Sequence, residues 1–325
     1  MTGFEQLERI RDEWRALAER SRNVFGTLEW AETWWRHFGR DRELRTSLVS
    51  NAVLPLYLER VGPLRLLRFL GQGHADEVGP VCAPEDRVTV AAELRDVLSG
   101  EDFHLFLGDG LPSGWAEPLG ARVVERTSFP VVALTEPSWD EFLAARSSNF
   151  RQQVRSAERR LQDRGLAFRL TDRSRLREDL DLLFKLHRAR WPGSPWFADA
   201  ESFHRDFAQL ALERGWLRLW VLELDGRPAG AWLGYRFAGV ESYYQAGRDP
   251  ALQRERVGFV LLAHTIREAL QDGMSEYRLL RGDEDFKYRF ATSDPGLETL
   301  ARPNGALGRL ALAVRGARRK LRRDA

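Results

Sequence analysis

Residues 216–280, WLRLWVLELDGRPAGAWLGYRFAGVESYYQAGRDPALQRERVGFVLLAHTIREALQDGMSEYRLL, decide the fold of this chain. Three segments rich in leucine, valine and aromatic residues open the stretch, and the turn pairs Asp225-Gly226 and Ala238-Gly239 separate them. This spacing predicts three consecutive strands joined by tight turns. The predicted strands are Trp216–Leu224, Pro228–Phe237 and Val240–Ala246.

The rest of the stretch predicts a loop, a helix and a further strand. The polar loop Gly247–Arg256 leads into Gly258–Gln271, whose apolar residues recur at helical spacing, and Glu276–Leu280 returns to a strand pattern. A strand that separates from its neighbour leaves N–H and C=O groups free for the amides of a pantetheine arm. The next helix offers its N-terminal N–H groups to a pyrophosphate. This order of elements indicates a site for an acyl-CoA-type thioester.

The residues around the start of this helix are the candidates for binding that donor. Gly258 permits a close approach of phosphate to the backbone, and Arg254 and Arg256 add positive charge. The predicted donor-binding residues are Gln245, Arg254, Arg256, Val257, Gly258 and Phe259.

Six strings of residues carry a resemblance to a known family. They are ESYYQAGRD (241–249), VGFVLLAHTIREAL (257–270), LLRGDEDFKYRFA (279–291), LHRARW (186–191), RFLGQGHADEVGPVCAPE (68–85) and SSNFRQQVRSAERRL (147–161). In these strings the chain resembles the GNAT superfamily and, within it, the CelD-like family linked to bacterial cellulose biosynthesis, itself similar to the Fem-type aminoacyl transferases. The resemblance implies an α/β fold with mixed sheets, two GNAT-like domains in tandem in a Fem-type arrangement, and an acyltransferase reaction.

The helix start departs from the superfamily pattern Gln/Arg-x-x-Gly-x-Gly/Ala. The run from Gln253 to Gly258 keeps the first Gln and the last Gly, but Arg256 stands where the first Gly belongs. An arginine there can obstruct a tight phosphate turn or bind phosphate with its side chain. Acyl-CoA, either acetyl-CoA or a longer chain, is the expected donor. A carrier protein or a tRNA remains open as the acyl carrier.

Transfer to an amine needs a base for the amine and an acid for the leaving thiolate. Asp283, on the loop after the last strand, is the predicted base, directly or through water, and it could equally cap the next helix. Lys287, four residues later, either pairs with Asp283 or binds an anionic substrate. Tyr243 and Tyr244 are adjacent on one strand and face opposite sides of the sheet, so one belongs to the core. We assign Tyr244 to the acid role.

Four residues are predicted to bind substrate: Asp76, Trp191, Tyr243 and Arg281. Trp191 precedes the loop WPGSPWF and could form a lid, although packing under the loop is an alternative. Asp76 lies in the glycine-rich loop GQGHADE, where it could line an interdomain cleft or simply belong to a turn. His74 and Asp76 alone are too few to indicate a metal, so no metal is predicted.

Length and composition favour a cytoplasmic protein with two domains. A chain of 325 residues exceeds the usual size of one hydrophobic core. We place an N-terminal GNAT-like domain at 1–137 and a C-terminal GNAT domain with a basic terminal helix at 138–325. A single cysteine, Cys82, excludes an internal disulfide, and no segment resembles a signal peptide or a membrane span. The strong preference for arginine over lysine is typical of a GC-rich bacterial genome.

Three functional hypotheses follow. The first is N-acyl transfer from an acyl-CoA-type thioester to the amine of a small molecule, a peptide or a glycan. The second is Fem-type transfer from tRNA, favoured by the arginine-rich stretch 151–160 and the basic tail 309–323. The third is a non-catalytic GNAT scaffold in polysaccharide or cell-envelope biosynthesis, whose amphipathic tail Leu307–Leu321 could contact an acidic membrane surface.

Overall fold

The computed structural model describes residue 7 and residues 9–193 and 196–323. The chain divides into two compact units. Unit 1 consists of Met1–Phe129 together with Pro295–Ala325, and unit 2 is Pro130–Asp294. Among the described residues, each unit is built on a mixed six-stranded sheet.

Unit 1 has the strand order β1-β4-β5-β6-β14-β7, in which only β5 and β6 run parallel, and a separate hairpin β2–β3. Its strands are β1 (Arg42–Leu44), β2 (Ser47–Val49), β3 (Ala52–Leu54), β4 (Leu56–Val61), β5 (Leu64–Phe69), β6 (Leu105–Pro112), β7 (Arg122–Thr127) and β14 (Leu297–Pro303). Its helices are α1 (Arg11–Ser21), α2 (Leu28–Phe38), α3 (Arg87–Gly100) and α11 (Gly305–Arg323). Its bulkiest buried side chains include Trp14, Trp30 and Trp34, each at most 1% exposed.

The C-terminal strand β14 belongs to unit 1, whereas the sequence analysis placed it in the second domain. It lies between β6 and β7 and pairs antiparallel with both. Glu298 on β14 also forms an ion pair with Arg126 on β7, at 3.1 Å. The second unit therefore ends at Asp294, and the first ends at Phe129 before resuming at Pro295.

Unit 2 has the strand order β8-β13-β12-β11-β10-β9, in which only β12 and β13 run parallel. Its strands are β8 (Val131–Ala133), β9 (Ala167–Leu170), β10 (Leu217–Leu224), β11 (Arg227–Phe237), β12 (Val240–Arg248) and β13 (Glu276–Arg278). Its helices are α4 (Trp139–Ala144), α5 (Ser148–Gln162), α6 (Leu176–Arg190), α7 (Trp196–Asp199), α8 (Glu201–Glu213), α9 (Val257–Gln271) and α10 (Asp285–Tyr288). The elements predicted from residues 216–280 are confirmed, with ends shifted by at most two residues.

The core of unit 2 lies between the sheet and the helices α5 and α9. Leu261, Leu262 and Ile266 of α9 pack with Val154 of α5 and Trp232 of β11 in one buried cluster. Burial of such large aliphatic and aromatic side chains contributes about 1.5–3 kcal/mol each. The sheet thereby holds α9 against β12, so the start of the helix stays next to the end of that strand.

Helix α6 contacts the opposite face of β12 at a glycine. A Cβ added to Gly247 would lie 2.6 Å from the backbone N of His187 and 2.6 Å from the Cβ of Leu186, both on α6. The absence of a side chain at this position is what lets the helix approach the strand so closely.

We therefore predict that Gly247→Ala destabilises the protein by about 1–3 kcal/mol, the usual cost of overpacking a core contact. Gly193→Ala is the control, because a Cβ there meets no atom within 4 Å. The thermal unfolding midpoint of both variants is the measurement. Equal midpoints for the two variants would contradict the close contact between α6 and β12.

Candidate functional site

Strands β12 and β13 separate after three paired residues. The pairs are Val240 with Glu276, Glu241 with Tyr277, and Ser242 with Arg278. Beyond Ser242, over residues 243–248 (all of them described), β12 pairs with β11 alone. Six of the nine residues of β12 therefore lie beside the gap, where backbone N–H and C=O groups have no partner strand, as the sequence analysis predicted.

A β-bulge lies at the point where the strands separate. Gly234 of β11 pairs with Tyr243, but the next residue, Leu233, pairs with Gln245, so Tyr244 is the extra residue of β12. A bulge changes the direction of the side chains that follow it. The side chain of Tyr243 consequently faces the gap, whereas the side chains of Tyr244 and Gln245 do not.

Tyr244 and Gln245 face the side of the sheet that carries α6 and α8. The ring of Tyr244, which is buried, lies 5.6 Å from that of His204 on α8. Gln245 hydrogen-bonds to the side chain of His187 on α6. Neither residue lines the cleft described next, so their predicted acid and donor-binding roles stay predictions.

A cleft of about 310 Å³ occupies the gap between β12, the start of α9 and α10. Its floor is apolar and includes Trp232, Leu261 and Phe286. Five predicted residues line it: Tyr243, Arg256, Val257, Gly258 and Phe259. Arg254 is exposed and lies outside the wall of this cleft.

Four arginines surround the cleft, and three of them were not singled out from the sequence. Arg190, Arg248 and Arg289 join Arg256 in its wall, and Asp285 is the only carboxylate that lines it among the described residues. These three arginines and Asp285 all lie within the strings that carry the family resemblance. They come together only because α6, β12 and α10 meet in space. No sequence pattern connects these distant positions.

The cluster of like charges defines the chemistry of the cleft. Burial lowers the pKa of Arg256, and the charges of Arg289 and Arg160 lower it further. Burial and the nearby charge of Arg190 likewise lower the pKa of Arg248. Arginine nevertheless stays protonated in proteins, so the cleft carries a net positive charge. An unliganded site of this kind is suited to a polyanion such as a chain of phosphates.

The N-terminus of α9 adds to this positive potential. Its first turn has no acidic residue and no side-chain cap, so its N–H groups face the cleft without a competing side-chain acceptor. Arg256 is the N-cap and has φ 60° and ψ 32°, a left-handed conformation that favours the glycine of the superfamily pattern. The chain thus keeps the backbone turn while replacing the residue.

The side chain of Arg256 forms a wall of the cleft and does not fill it. Its guanidinium donates to Oε1 of Gln153 on α5, at 3.3 Å, and lies 4.9 Å from the ring centre of Phe259. Arg289 donates to the same Gln153 oxygen, at 3.0 Å. One amide oxygen therefore holds two guanidinium groups at the rim of the cleft, which offsets part of their mutual repulsion.

Tyr243 and Arg190 connect the floor of the cleft to its rim. Tyr243 stacks on Trp232 with ring centroids 5.9 Å apart and hydrogen-bonds to Arg190. Burial raises the pKa of Tyr243, so its hydroxyl group stays protonated at neutral pH. Arg190 also lies 4.8 Å from the ring centre of Trp191, which is 42% exposed at the end of α6. Trp191 does not line the cleft, and its predicted role as a lid residue stays a prediction.

Lys287 is buried, so the alternative of a surface ion pair with Asp283 is wrong, whereas its predicted binding of an anionic substrate stays a prediction. Its Nζ forms an ion pair with Glu284 at 3.0 Å and donates to the carbonyl oxygens of Leu280 and Arg281. The lysine therefore fastens the loop that follows β13. Arg281 contributes its backbone to this contact and does not line the cleft.

Asp283 is exposed in the same loop, and Glu284, not Asp283, is the N-cap of α10. The capping alternative for Asp283 is therefore wrong, and the carboxylate is available for another role. Asp76 lies half-buried in unit 1, on the loop between β5 and α3. Its predicted role in substrate binding stays a prediction.

Comparison with known proteins identifies the fold. The family model of the acetyltransferase (GNAT) domain matches residues 148–288, a range that contains the bulge, the gap and all residues that line the cleft except Arg289. Residues 148–288 of unit 2 are thus similar to a GNAT domain. Among curated protein sequences, none matches the chain. The narrower CelD-like resemblance stays a prediction.

Solved structures are similar in fold to this chain over most of its length. FemX is 13% identical, with a TM-score of 0.66 over 90% of this chain and 96% of that one. The C-terminal domain of a putative lysylphosphatidylglycerol synthetase from Agrobacterium fabrum is 14% identical, with a TM-score of 0.62 over 95% of each chain. L-PGS from Bacillus licheniformis is 15% identical, with a TM-score of 0.56 over 88% of this chain and 95% of that one. At these identities the similarity concerns the fold, and it confirms the predicted mixed α/β class with two GNAT-like units.

Two further observations concern metal binding and membrane crossing. The described residues contain no group of three or more His, Cys, Asp or Glu side chains placed to hold a metal ion. In the part of the chain that the structure describes, no helix has the length and apolar character needed to cross a bilayer.

A buried carboxyl group lies where β12 and β13 are still paired. Glu241 is fully buried opposite Tyr277, and its Oε2 lies 2.6 Å from Nη2 of Arg236. Burial raises the pKa of Glu241 to about 7, although the nearby Arg236 charge acts in the opposite direction. Near neutral pH, a larger fraction of Glu241 is therefore protonated in the folded state than in the unfolded state.

This raised pKa predicts a pH-dependent stability. The folded pKa of Glu241 lies above its ordinary value of 4.5, so its contribution to stability is present below pH 4.5 and is lost as pH rises through about 7. Between these pH values wild type should lose stability relative to Glu241→Gln, by about 3 kcal/mol at most, since one pKa unit corresponds to ~1.4 kcal/mol. Urea unfolding of both proteins at pH 5 and pH 8 measures the difference. Parallel pH profiles would contradict the raised pKa.

Proposed function

We propose that unit 2 is an N-acyltransferase that binds an acyl-CoA-type thioester in the arginine cleft. The observation that carries this proposal is the coincidence, in one cleft, of four arginines, an uncapped helix N-terminus and the part of β12 from which β13 has separated. Phosphates of the donor would bind Arg248, Arg256 and Arg289 together with the first N–H groups of α9. The pantetheine arm would pair with β12 where β13 has separated.

The reaction follows from the chemistry of a thioester. The nitrogen of a neutral amine attacks the carbonyl carbon, the C–S bond breaks, and the electron pair of that bond leaves on sulfur. The amine loses one proton and the thiolate gains one. We assign the first proton to Asp283, directly or through water. For the second proton, Tyr243 is better placed than Tyr244, because it lines the cleft and its raised pKa keeps the hydroxyl protonated.

Binding of the donor gives the first test. Acetyl-CoA and a long-chain acyl-CoA should each raise the unfolding temperature, because a ligand bound only by the folded state stabilises it. Arg248→Ala and Arg289→Ala should each weaken binding roughly tenfold, since hydrogen bonds to charged groups contribute about 1.5–3 kcal/mol. Arg254→Ala is the matched control, because that arginine lies outside the wall of the cleft. Unchanged unfolding temperatures with every acyl-CoA would refute the donor assignment.

Two neighbouring carboxylates give the second test. Asp283→Asn should abolish turnover and leave donor binding intact, because it removes only the base. Asp285→Asn should instead tighten binding of an acyl-CoA a few-fold, because it removes a negative charge from a cleft that must hold phosphates. Isothermal titration with acyl-CoA and a thiol-release assay with a panel of amines measure the two effects. Full turnover by Asp283→Asn would exclude the base role.

Fem-type transfer from an aminoacyl-tRNA is the second candidate function. It is supported by the whole-chain fold similarity to FemX and by the arginine at the glycine position, since the same cleft suits the phosphates of an RNA 3′ end. Its acceptor would again be an amine of a small molecule, a peptide or a glycan. Filter binding of aminoacyl-tRNA should then weaken steeply with added salt, whereas flat salt dependence excludes this candidate.

A further inference from the structure

An apolar groove of about 780 Å³ lies in unit 1 between α11 and the strands β5 and β6. Leu310 and Val314 of the helix form one wall, and Val61 with Pro63 at the turn between β4 and β5 forms the other. Leu66 and Leu107 lie at its base and are largely buried. The groove is separate from the arginine cleft, which lies wholly in unit 2.

The helix that forms the groove is anchored through residues next to the exposed apolar ones. Ala311 and Leu312 pack against the buried cluster of Leu66, Leu105, Leu107 and Ala301. Gly308 is buried next to the start of β6, and a Cβ at this position would overlap the carbonyl oxygen of His104. The exposed side chains of α11 are thus presented by an anchored helix.

The walls of the groove expose large apolar side chains to an unusual extent. Leu310 is 60% exposed, Val61 51%, Val314 43% and Leu307 37%. Leu307, Leu310 and Val314 follow one another at spacings of three and four residues, so they form one stripe along the helix. A contiguous apolar patch of this kind marks an interaction site more often than isolated exposed residues do.

The charge of the same helix indicates the kind of partner. Residues 305–323 contain seven basic residues and no acidic one. Arg309 and Arg315, both exposed, flank the apolar stripe. Glu125 is the acidic residue in the lining of the groove, where Arg68 and Arg315 also lie. An apolar stripe on a helix with basic and no acidic residues suits the interface of an anionic bilayer, whose headgroups are negative and whose interior is apolar.

We propose that this face of unit 1 docks on an anionic phospholipid bilayer. The stripe of Leu307, Leu310 and Val314, with Val61 beside it, enters the boundary between headgroups and acyl chains. Arg309 and Arg315 contact the lipid phosphates. The observation that decides for a bilayer over a second copy of the chain is this one-sided charge, because two copies would bring like charges together.

Sedimentation with vesicles tests the proposal on the full-length protein. We compare vesicles of phosphatidylcholine with vesicles that contain phosphatidylglycerol as well. The wild type should bind the anionic vesicles, and added salt should weaken binding because it screens the charge. Leu310→Glu with Val314→Glu should reduce binding roughly tenfold or more, since it removes the apolar contact and adds repulsion.

Val88→Glu is the matched control, because Val88 is a 76% exposed aliphatic residue of unit 1 that does not line the groove. It should bind vesicles as the wild type does. Circular dichroism and the unfolding temperature verify that each variant is folded, and Arg309→Glu with Arg315→Glu offers a second route that leaves the apolar wall intact. That variant should also lose binding to the anionic vesicles.

Three outcomes would overturn the proposal. They are equal sedimentation of the wild type with neutral and anionic vesicles, the absence of binding to either, and unchanged binding after both double substitutions. A wild type that is dimeric in solution, with a monomeric Leu310→Glu/Val314→Glu variant and no vesicle binding, would assign the groove to a second copy instead. None of these measurements depends on the reaction proposed for unit 2.

Discussion

The early separation of two parallel strands is the constraint on which the organisation of unit 2 depends. After the pair formed by Ser242 and Arg278, the backbone of β12 has no neighbour on one side, and the bulge at Tyr244 redirects the side chains that follow. Backbone polar groups without partners are costly when they are buried. Such an arrangement persists when solvent or a bound molecule can satisfy those groups, and the open cleft beside β12 permits both.

The arrangement of charge around the gap reinforces this interpretation. Four guanidinium groups in one cleft repel one another, and Asp285 and the Gln153 oxygen offset part of that repulsion. A protein that served only as a scaffold would gain stability by losing one of these arginines. Their concentration next to a helix N-terminus is instead what a phosphate-bearing ligand requires. The apolar floor below suits the less polar arm of the same ligand.

Sequence patterns predicted the elements of unit 2 well because its strands and helices are long and regular. The segments around Asp225-Gly226 and Ala238-Gly239 behave as their turn residues predict, and the helix after Arg256 begins within one residue of its predicted start. Sequence patterns did not predict the structure where the conformation or burial of a residue depends on contacts with residues distant in sequence. The strand β14 has no strong alternation, and β6 and β7 on either side of it determine its conformation. The arginines of the cleft and the burial of Lys287 likewise depend on tertiary contacts.

The position of β14 has a consequence for how the chain acquires its structure during synthesis. Unit 2 is continuous in sequence and lies between β7 and β14, so all of its strands leave the ribosome before the sheet of unit 1 can close. The second unit can therefore fold first. Until β14 is synthesised, β6 and β7 lack the strand that lies between them, and their edges stay unpaired. The N-terminal unit is the first to be made and the last to be completed.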